Sequence, residues 1–246
     1  MKILIASPSY DGSVRVEYMM SILALSDHFR RKNIEHDVLV RSSTLLHVLR
    51  SVMASKALLE DGYTHLLFVD TDMGFTVSAV ERMLRAEKPV IGCAYPYRTI
   101  PLHEDPPEGI KPLRRAISSM VPYAVTFDSG AGNVQVVNGI CEVASVGTGL
   151  MLISREALQT MRERAAVESY AVGFPYNQWF KGPQYVGFFE HIKLNGAYVG
   201  EDYSFCHRWR HECKEPLYAL VDEEVQHVGP LPVLGRYTDK LKIGKF

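Results

Sequence analysis

The sequence predicts an α/β protein in which a mostly parallel central sheet is covered by helices and followed by a smaller mixed β region. Over the first hundred residues, short apolar runs alternate with segments whose apolar residues recur on a helical period. The longest apolar runs, LLFV at 66–69 and LMLI at 150–153, are the length of strands. Beyond residue 95 the alternation stops, and Pro96, Pro101, Pro106, Pro107, Pro112 and Pro122 cluster among charged residues.

The first strand is expected at 2–7 (KILIAS), followed by a Pro-Ser-Tyr-Asp-Gly turn and an amphipathic helix from Val14 to about Lys32 carrying Met19, Leu23 and Phe29. Asp37–Val40 reads as the second strand. A helix from Leu45 to about Asp61 repeats Leu45, Leu49, Val52 and Leu59 and is expected to end on Gly62. His65–Asp70 is the third strand. Thr76 opens a helix with Val80, Met83 and Leu84 on one side, and Pro89 stops it before a fourth strand, Val90–Ala94. Residues 95–122 read as a loop or lid. The segments 123–127 and 134–146, turning at Asn138-Gly139, read as a β-hairpin, followed by the strand LMLIS and a helix from Arg155 to about Arg164. An aromatic and glycine-rich loop covers 170–190, whose Trp179, Phe180 and Tyr185 either stack on sugar faces or form a satellite hydrophobic cluster. A helix near Glu201 and a strand around Leu217–Val221 complete the expected order.

The 246 residues are 47% hydrophobic and 22% charged, enough to bury a core, and are expected to form one domain over 1–246. Lysine and arginine total 27 against 28 acids, a net charge of −1, which leaves no electrostatic excess to hold a nucleic-acid backbone. The apolar runs fall far short of the roughly 18 residues of a membrane span. Cys93, Cys141, Cys206 and Cys213 form no CxxC pair and fit packed thiols in a reducing compartment, so a cytoplasmic location is expected.

The sharpest chemical feature is FVDTDMGF at 68–75, where an apolar strand runs into Asp70 and Asp72. Open α/β sheets bind ligands beyond the carboxyl ends of their strands, and hard divalent cations take carboxylate oxygens together with substrate phosphates. Four further segments accompany it in order: SPSYDG at 7–12, Arg50-Ser51, SVGTGLMLISREAL at 145–158 and GEDYSFCHRWR at 200–210, with VQHVG at 225–229 beyond them. No GxGxxG or GxxxxGK[ST] loop follows the first strand.

With these motifs the chain resembles the GT-A glycosyltransferases, and in particular family 2-like enzymes, over nearly its whole length. The resemblance implies a Rossmann-like α/β/α sandwich, with 1–95 as the nucleotide-binding half and 96–246 as the acceptor half and tail. It implies a nucleotide-diphosphate sugar donor, UDP- or GDP-linked, contacted by Pro8, Ser9, Tyr10, Arg50, Asp70, Gly147 and Gly149. It implies Mn2+ or Mg2+ at Asp70, Asp72 and His227, and Asp202 with Glu201 as the catalytic acids, Asp202 being the base of an inverting transfer to a glycan, lipid-linked or other hydroxyl acceptor. Ser51 departs from the asparagine usual beside the arginine. The same residues also have plainer uses: a solvated acidic turn, a helix arginine, turn glycines, acids stabilising a helix N-terminus, a packed histidine. A sugar nucleotidyltransferase and a non-catalytic nucleotide-sugar or glycan-binding module are the alternatives. The basic tail at 235–246, with Arg236 and Lys240, is a candidate to close over the donor.

Overall fold

A computed structural model describes residues 1–60, 62–99, 105, 107–128 and 134–229. The elements run β1 (Lys2–Ser9), α1 (Val16–Arg31), β2 (Glu35–Ser42), α2 (Leu46–Leu59), β3 (His65–Val69), β4 (Met73–Gly74), α3 (Val77–Arg85) and β5 (Val90–Cys93) through the first half. The second half carries α4 (Leu113–Met120), β6 (Val125–Thr126), β7 (Ile140–Glu142), β8 (Ser145–Val146), β9 (Leu150–Ser154) and α5 (Arg155–Arg164). It continues with β10 (Ser169–Ala171), β11 (Gln184–Val186), β12 (Lys193–Leu194), β13 (Ala197–Tyr198), α6 (Glu201–His207), β14 (Tyr218–Leu220) and β15 (Gln226–His227). A short π-helical stretch, Arg208–Glu212, extends α6.

The central sheet has the order β2-β1-β3-β9-β5-β14-β7. β1 pairs in parallel with β2 and β3, and β5 with β14, while β9 runs antiparallel between β3 and β5 and β7 antiparallel at the edge. Five of the seven strands therefore point one way, in agreement with the α/β class expected from sequence. Successive residues of a strand face opposite sides, and Leu4, Ala6, Leu66 and Phe68 join one core while Ile3, Ile5, Leu67 and Val69 join the other. The first core is closed by α2, α5 and α6, the second by α1 and α3, giving a three-layer sandwich. Thr76 and Ser154 cap α3 and α5 by accepting the backbone N–H groups of Ala79 and Ala157.

Several local expectations are corrected. α4 forms inside the proline-rich segment, with Pro112 at its N-cap; proline at a helix start loses no intrahelical hydrogen bond. The tight turn at Asn138-Gly139 does form, with φ of 51° and 74°. Segments 123–127 and 134–146 do pair, antiparallel through β6 and β8, and Val137 bridges Ile140 across the turn, but β7, just after it, also joins the main sheet against β14. α2 stops at Leu59, before Gly62. Phe180 and Tyr185 are buried in a small cluster with Val52, against which Trp179 packs, rather than presented to a ligand. The tail at 235–246 lies outside the described residues. All four cysteines are unpaired and buried, and among the described residues no helix is long and apolar enough to cross a membrane.

Candidate active site

Parallel pairing places the C-terminal ends of β1, β3 and β5 at one edge of the sheet, and the antiparallel β9 begins at that same edge. The register puts Leu150 opposite Val69, so the Asp70 backbone N–H donates to the Gly149 carbonyl at 2.9 Å. The loops that follow β1, β3 and β5 border a cleft of about 460 Å³. Pro8, Tyr10, Arg50, Asp70, Asp72, Glu201, Asp202 and His227 all line it. Glycines 147 and 149 and Ser9 stand behind that lining.

Arg50, on α2, is almost wholly buried at 3% exposure. Its Nη2 donates to both oxygens of Asp70, at 2.8 and 3.0 Å. Nε stands 3.8 Å from Glu201 and 4.0 Å from Asp202, and Nε and Nη1 are buried with no hydrogen-bond partner. Burial disfavours the guanidinium charge, but Asp70, Asp202 and Glu201 outweigh it and keep Arg50 protonated. Burial pushes the Asp70 carboxyl above the ordinary aspartate range; Arg50 opposes this, and the charges of Asp202 and Asp72 add to it. Arg50 is thus the buried counter-charge of three carboxylates, and its cation faces those acids.

Asp202 lies in the first turn of α6, and Thr148 grips it with two groups: the backbone N–H at 3.1 Å and the hydroxyl at 2.6 Å, one on each carboxylate oxygen. The side chain is therefore oriented into the cleft across 54 residues of sequence. This goes beyond helix capping, since no side chain caps α6.

Asp72 has different partners. β15 pairs antiparallel with the two-residue β4, setting His227 opposite Met73, and the Val228 N–H donates to the Asp72 carbonyl at 2.8 Å. His227 Nε2 lies 3.5 Å from Asp72 Oδ2, and Arg98 Nη1 donates to the same oxygen at 2.8 Å. Burial opposes ionisation of Asp72, yet His227 and Arg98 hold its carboxyl below the ordinary range. His227 Nδ1 is 2.8 Å from the Pro96 carbonyl, an acceptor only, so Nδ1 donates to it and the ring orientation is fixed.

The opening loop and the glycines serve neighbours rather than open space. Ser9 is buried, accepts the Gly12 N–H and donates to the Ser13 carbonyl, so it shapes the loop; Tyr10 is exposed. A Cβ on Gly147 would stand 2.1 Å from Tyr95 Oη, and one on Gly149 2.8 Å from Tyr95 Cζ. The close approach these glycines permit is therefore to the Tyr95 ring, and the Gly149 N–H donates to its hydroxyl at 3.2 Å. Burial, with Asp202 and Asp70 nearby, pushes the Tyr95 hydroxyl well above its usual value. Ser51 is buried and accepts the Phe189 N–H, a packing role that a small hydroxyl fills. Arg98 and Tyr95 went unread in the sequence, each a single residue in a loop with no motif around it, and Thr148 was passed over between the two glycines of its own motif.

The residues fit a divalent cation in part. His227, with Nδ1–H on a backbone carbonyl and Nε2 directed at a carboxylate, has the arrangement usual for a metal-binding histidine. Asp72 supplies a hard oxygen. Both oxygens of Asp70 accept from Arg50, and among the described residues no group of three or more His, Cys, Asp or Glu side chains is arranged to hold a metal. Two protein ligands leave the remaining positions to water and substrate oxygens, as is common for Mg2+ at phosphate sites.

No protein-family model and no curated protein matches the chain. Solved structures similar to it include A197 from STIV, at 20% identity and a TM-score of 0.49 over 94% of this chain and 87% of that one. A Drosophila beta-1,4-galactosyltransferase 7 variant in complex with manganese, UDP-Gal and xylobiose is similar at 13% identity and a TM-score of 0.38, over 97% of this chain and 73% of that one. The inositol-1-phosphate CTP transferase from T. maritima is similar at 9% identity and a TM-score of 0.41, over 92% and 88%. At these identities and scores the likenesses assign neither a family nor an activity.

Proposed function

We propose that this chain is a GT-A-type glycosyltransferase that moves a sugar from a nucleotide-diphosphate donor to an acceptor hydroxyl, with inversion. The observation that carries the reading is one cleft, at the carboxyl ends of parallel strands, holding a fixed carboxylate and a separate aspartate-histidine pair. Asp202 is the fixed carboxylate, locked by Thr148, and Asp72 with His227 is the pair. Such an edge is where open α/β sheets bind nucleotides. The similarity in outline to glycosyl- and nucleotidyltransferases agrees with transfer chemistry without carrying it.

In this reading residues 1–95 supply the nucleotide side and 96–246 the acceptor side. Pro8 and Tyr10 border the nucleoside. Asp72 and His227 would hold Mn2+ or Mg2+, which when bound supplies Lewis-acid stabilisation to a departing nucleoside diphosphate. Asp202 takes the proton of the acceptor hydroxyl; each oxygen spends one acceptor site on Thr148 and keeps another. Arg50 stays out of the chemistry and prevents three acids from repelling one another apart. Glu201, beside Arg50, is placed to accept a hydroxyl hydrogen bond from either sugar. The donor is UDP- or GDP-linked and the acceptor a glycan, lipid-linked sugar or other hydroxyl compound.

The test is release of UDP or GDP from nucleotide sugars, with and without Mn2+, by the wild type and by Asp202→Asn. The wild type is expected to turn over the donor only with the metal. The variant is expected to bind nucleotide and metal normally and lose turnover by roughly 10²–10⁴-fold, the contribution of a general base. Binding without any turnover would replace the reading with a binding module. Pyrophosphate release from a nucleoside triphosphate and a sugar phosphate would replace it with a nucleotidyltransferase.

A further inference from the structure

The cation nearest the proposed metal ligand already belongs to the protein. Arg98 lies beyond β5, and its Nη1 donates to Asp72 Oδ2, the same oxygen that faces His227 Nε2. Asp72 and His227 are anchored: the Asp72 carbonyl accepts the Val228 N–H, and the His227 ring is held by the Pro96 carbonyl and packs edge-on against Tyr95. Arg98 is not anchored in the same way. Its side chain is 48% exposed against 22% for Asp72 and 13% for His227, and it lies between this cleft and a neighbouring one of about 810 Å³. Its carbon stem rests over Gly229, where a Cβ would come within 2.8 Å of it. Asp72 and His227 are thus held through backbone and ring contacts, whereas the Arg98 guanidinium is half-exposed.

We propose that Arg98 is a resident counter-ion of Asp72 that keeps free divalent metal out of the site and passes to the donor's diphosphate when metal and nucleotide enter together. This rests on the reading of Asp72 and His227 as metal ligands. A guanidinium and a divalent cation cannot share one carboxylate oxygen without mutual repulsion, so metal alone has to displace Arg98. A nucleoside diphosphate offers that guanidinium a new bidentate acceptor and the metal new oxygens in the same event. The consequence is coupling: nucleotide raises metal affinity, and by reciprocity metal raises nucleotide affinity by the same factor.

The experiment titrates Mn2+ into the wild type and Arg98→Gln by electron paramagnetic resonance of free Mn2+, alone and with saturating UDP or GDP, with allowance for the Mn2+–nucleotide complex in solution. The wild type is expected to bind Mn2+ weakly alone and much more tightly with one of the nucleotides. Arg98→Gln is expected to bind Mn2+ alone about fivefold more tightly, the worth of a half-exposed ion pair near 1 kcal/mol. The nucleotide-induced gain is expected to shrink in the variant by at least the same factor. If the wild type binds Mn2+ with nucleotide but Arg98→Gln changes neither the metal-only affinity nor the coupling, the role of Arg98 is wrong and the metal site stands. If neither protein binds Mn2+ with either nucleotide, the metal site itself is wrong and the proposal falls with it.

Discussion

Asp70 and Asp72 are two residues apart on one loop, yet they belong to two differently built sides of the cleft. The Asp70 side is rigid and internal: Arg50 comes from a helix packed across the sheet, is almost fully buried and spends its bonds on Asp70. The Asp72 side is assembled from short pieces, a two-residue pairing of β4 with β15 and a loop arginine, and remains partly open. The difference teaches that a pair of acids in a DxD pattern need not act as a pair. Here Asp70 is paired with a buried arginine, and Asp72 with a half-exposed one.

The comparison breaks most visibly at Arg50. Arg50→Met leaves Asp70, Glu201 and Asp202 facing one another without a cation, and breaking a buried pair costs about 3–5 kcal/mol. In a protein of this size that is a fall in Tm of about 10 °C, readable by circular dichroism. An unchanged Tm would mean that the buried side is not structural. On the other side, His227→Ala is expected to leave Tm nearly unchanged and to weaken Mn2+-dependent nucleotide binding by about 10–100-fold, the range for lost support at a metal. Equal effects on stability from Arg50→Met and His227→Ala would erase the contrast drawn above.

The two acids should also titrate apart. Asp70, pushed up chiefly by burial, makes the folded protein lose stability as pH rises through its raised value; Asp72, held down by His227 and Arg98, contributes stability that is lost as pH falls through its lowered value. Carboxyl carbon shifts in nuclear magnetic resonance are expected to put Asp70 above and Asp72 below the ordinary aspartate range. The reverse order would contradict the partner assignment.

Much of the scaffold was readable before the structure, because β1, β3, β5 and β9 are buried apolar runs and α5 starts directly after a serine cap. The order of the site was readable for the same reason: acids and glycines at strand ends lie at one edge once the strands are parallel. What escaped depends on long-range pairing. Nothing near residue 134 shows that β7 will join the edge of the main sheet, and nothing near His227 shows that β15 will pair with β4. The aromatic run at 179–185 reads from sequence either as sugar-facing or as a satellite cluster, and the choice depends on Val52, more than a hundred residues away. Arg98 carries no periodicity at all, and its meaning comes only from the carboxylate it reaches.

The most direct test of the account is calorimetric binding of UDP and of GDP, each with and without Mn2+, to the wild type and to Asp72→Ala. Asp72 follows β3 and contributes nothing to either apolar core, so the variant is expected to keep its fold by circular dichroism. The wild type is expected to bind one of the two nucleotides in a metal-dependent way, and Asp72→Ala to lose that dependence while retaining any weak metal-free binding. Metal-dependent binding of unchanged affinity in the folded variant would contradict the assignment of this cleft as a metal-assisted donor site.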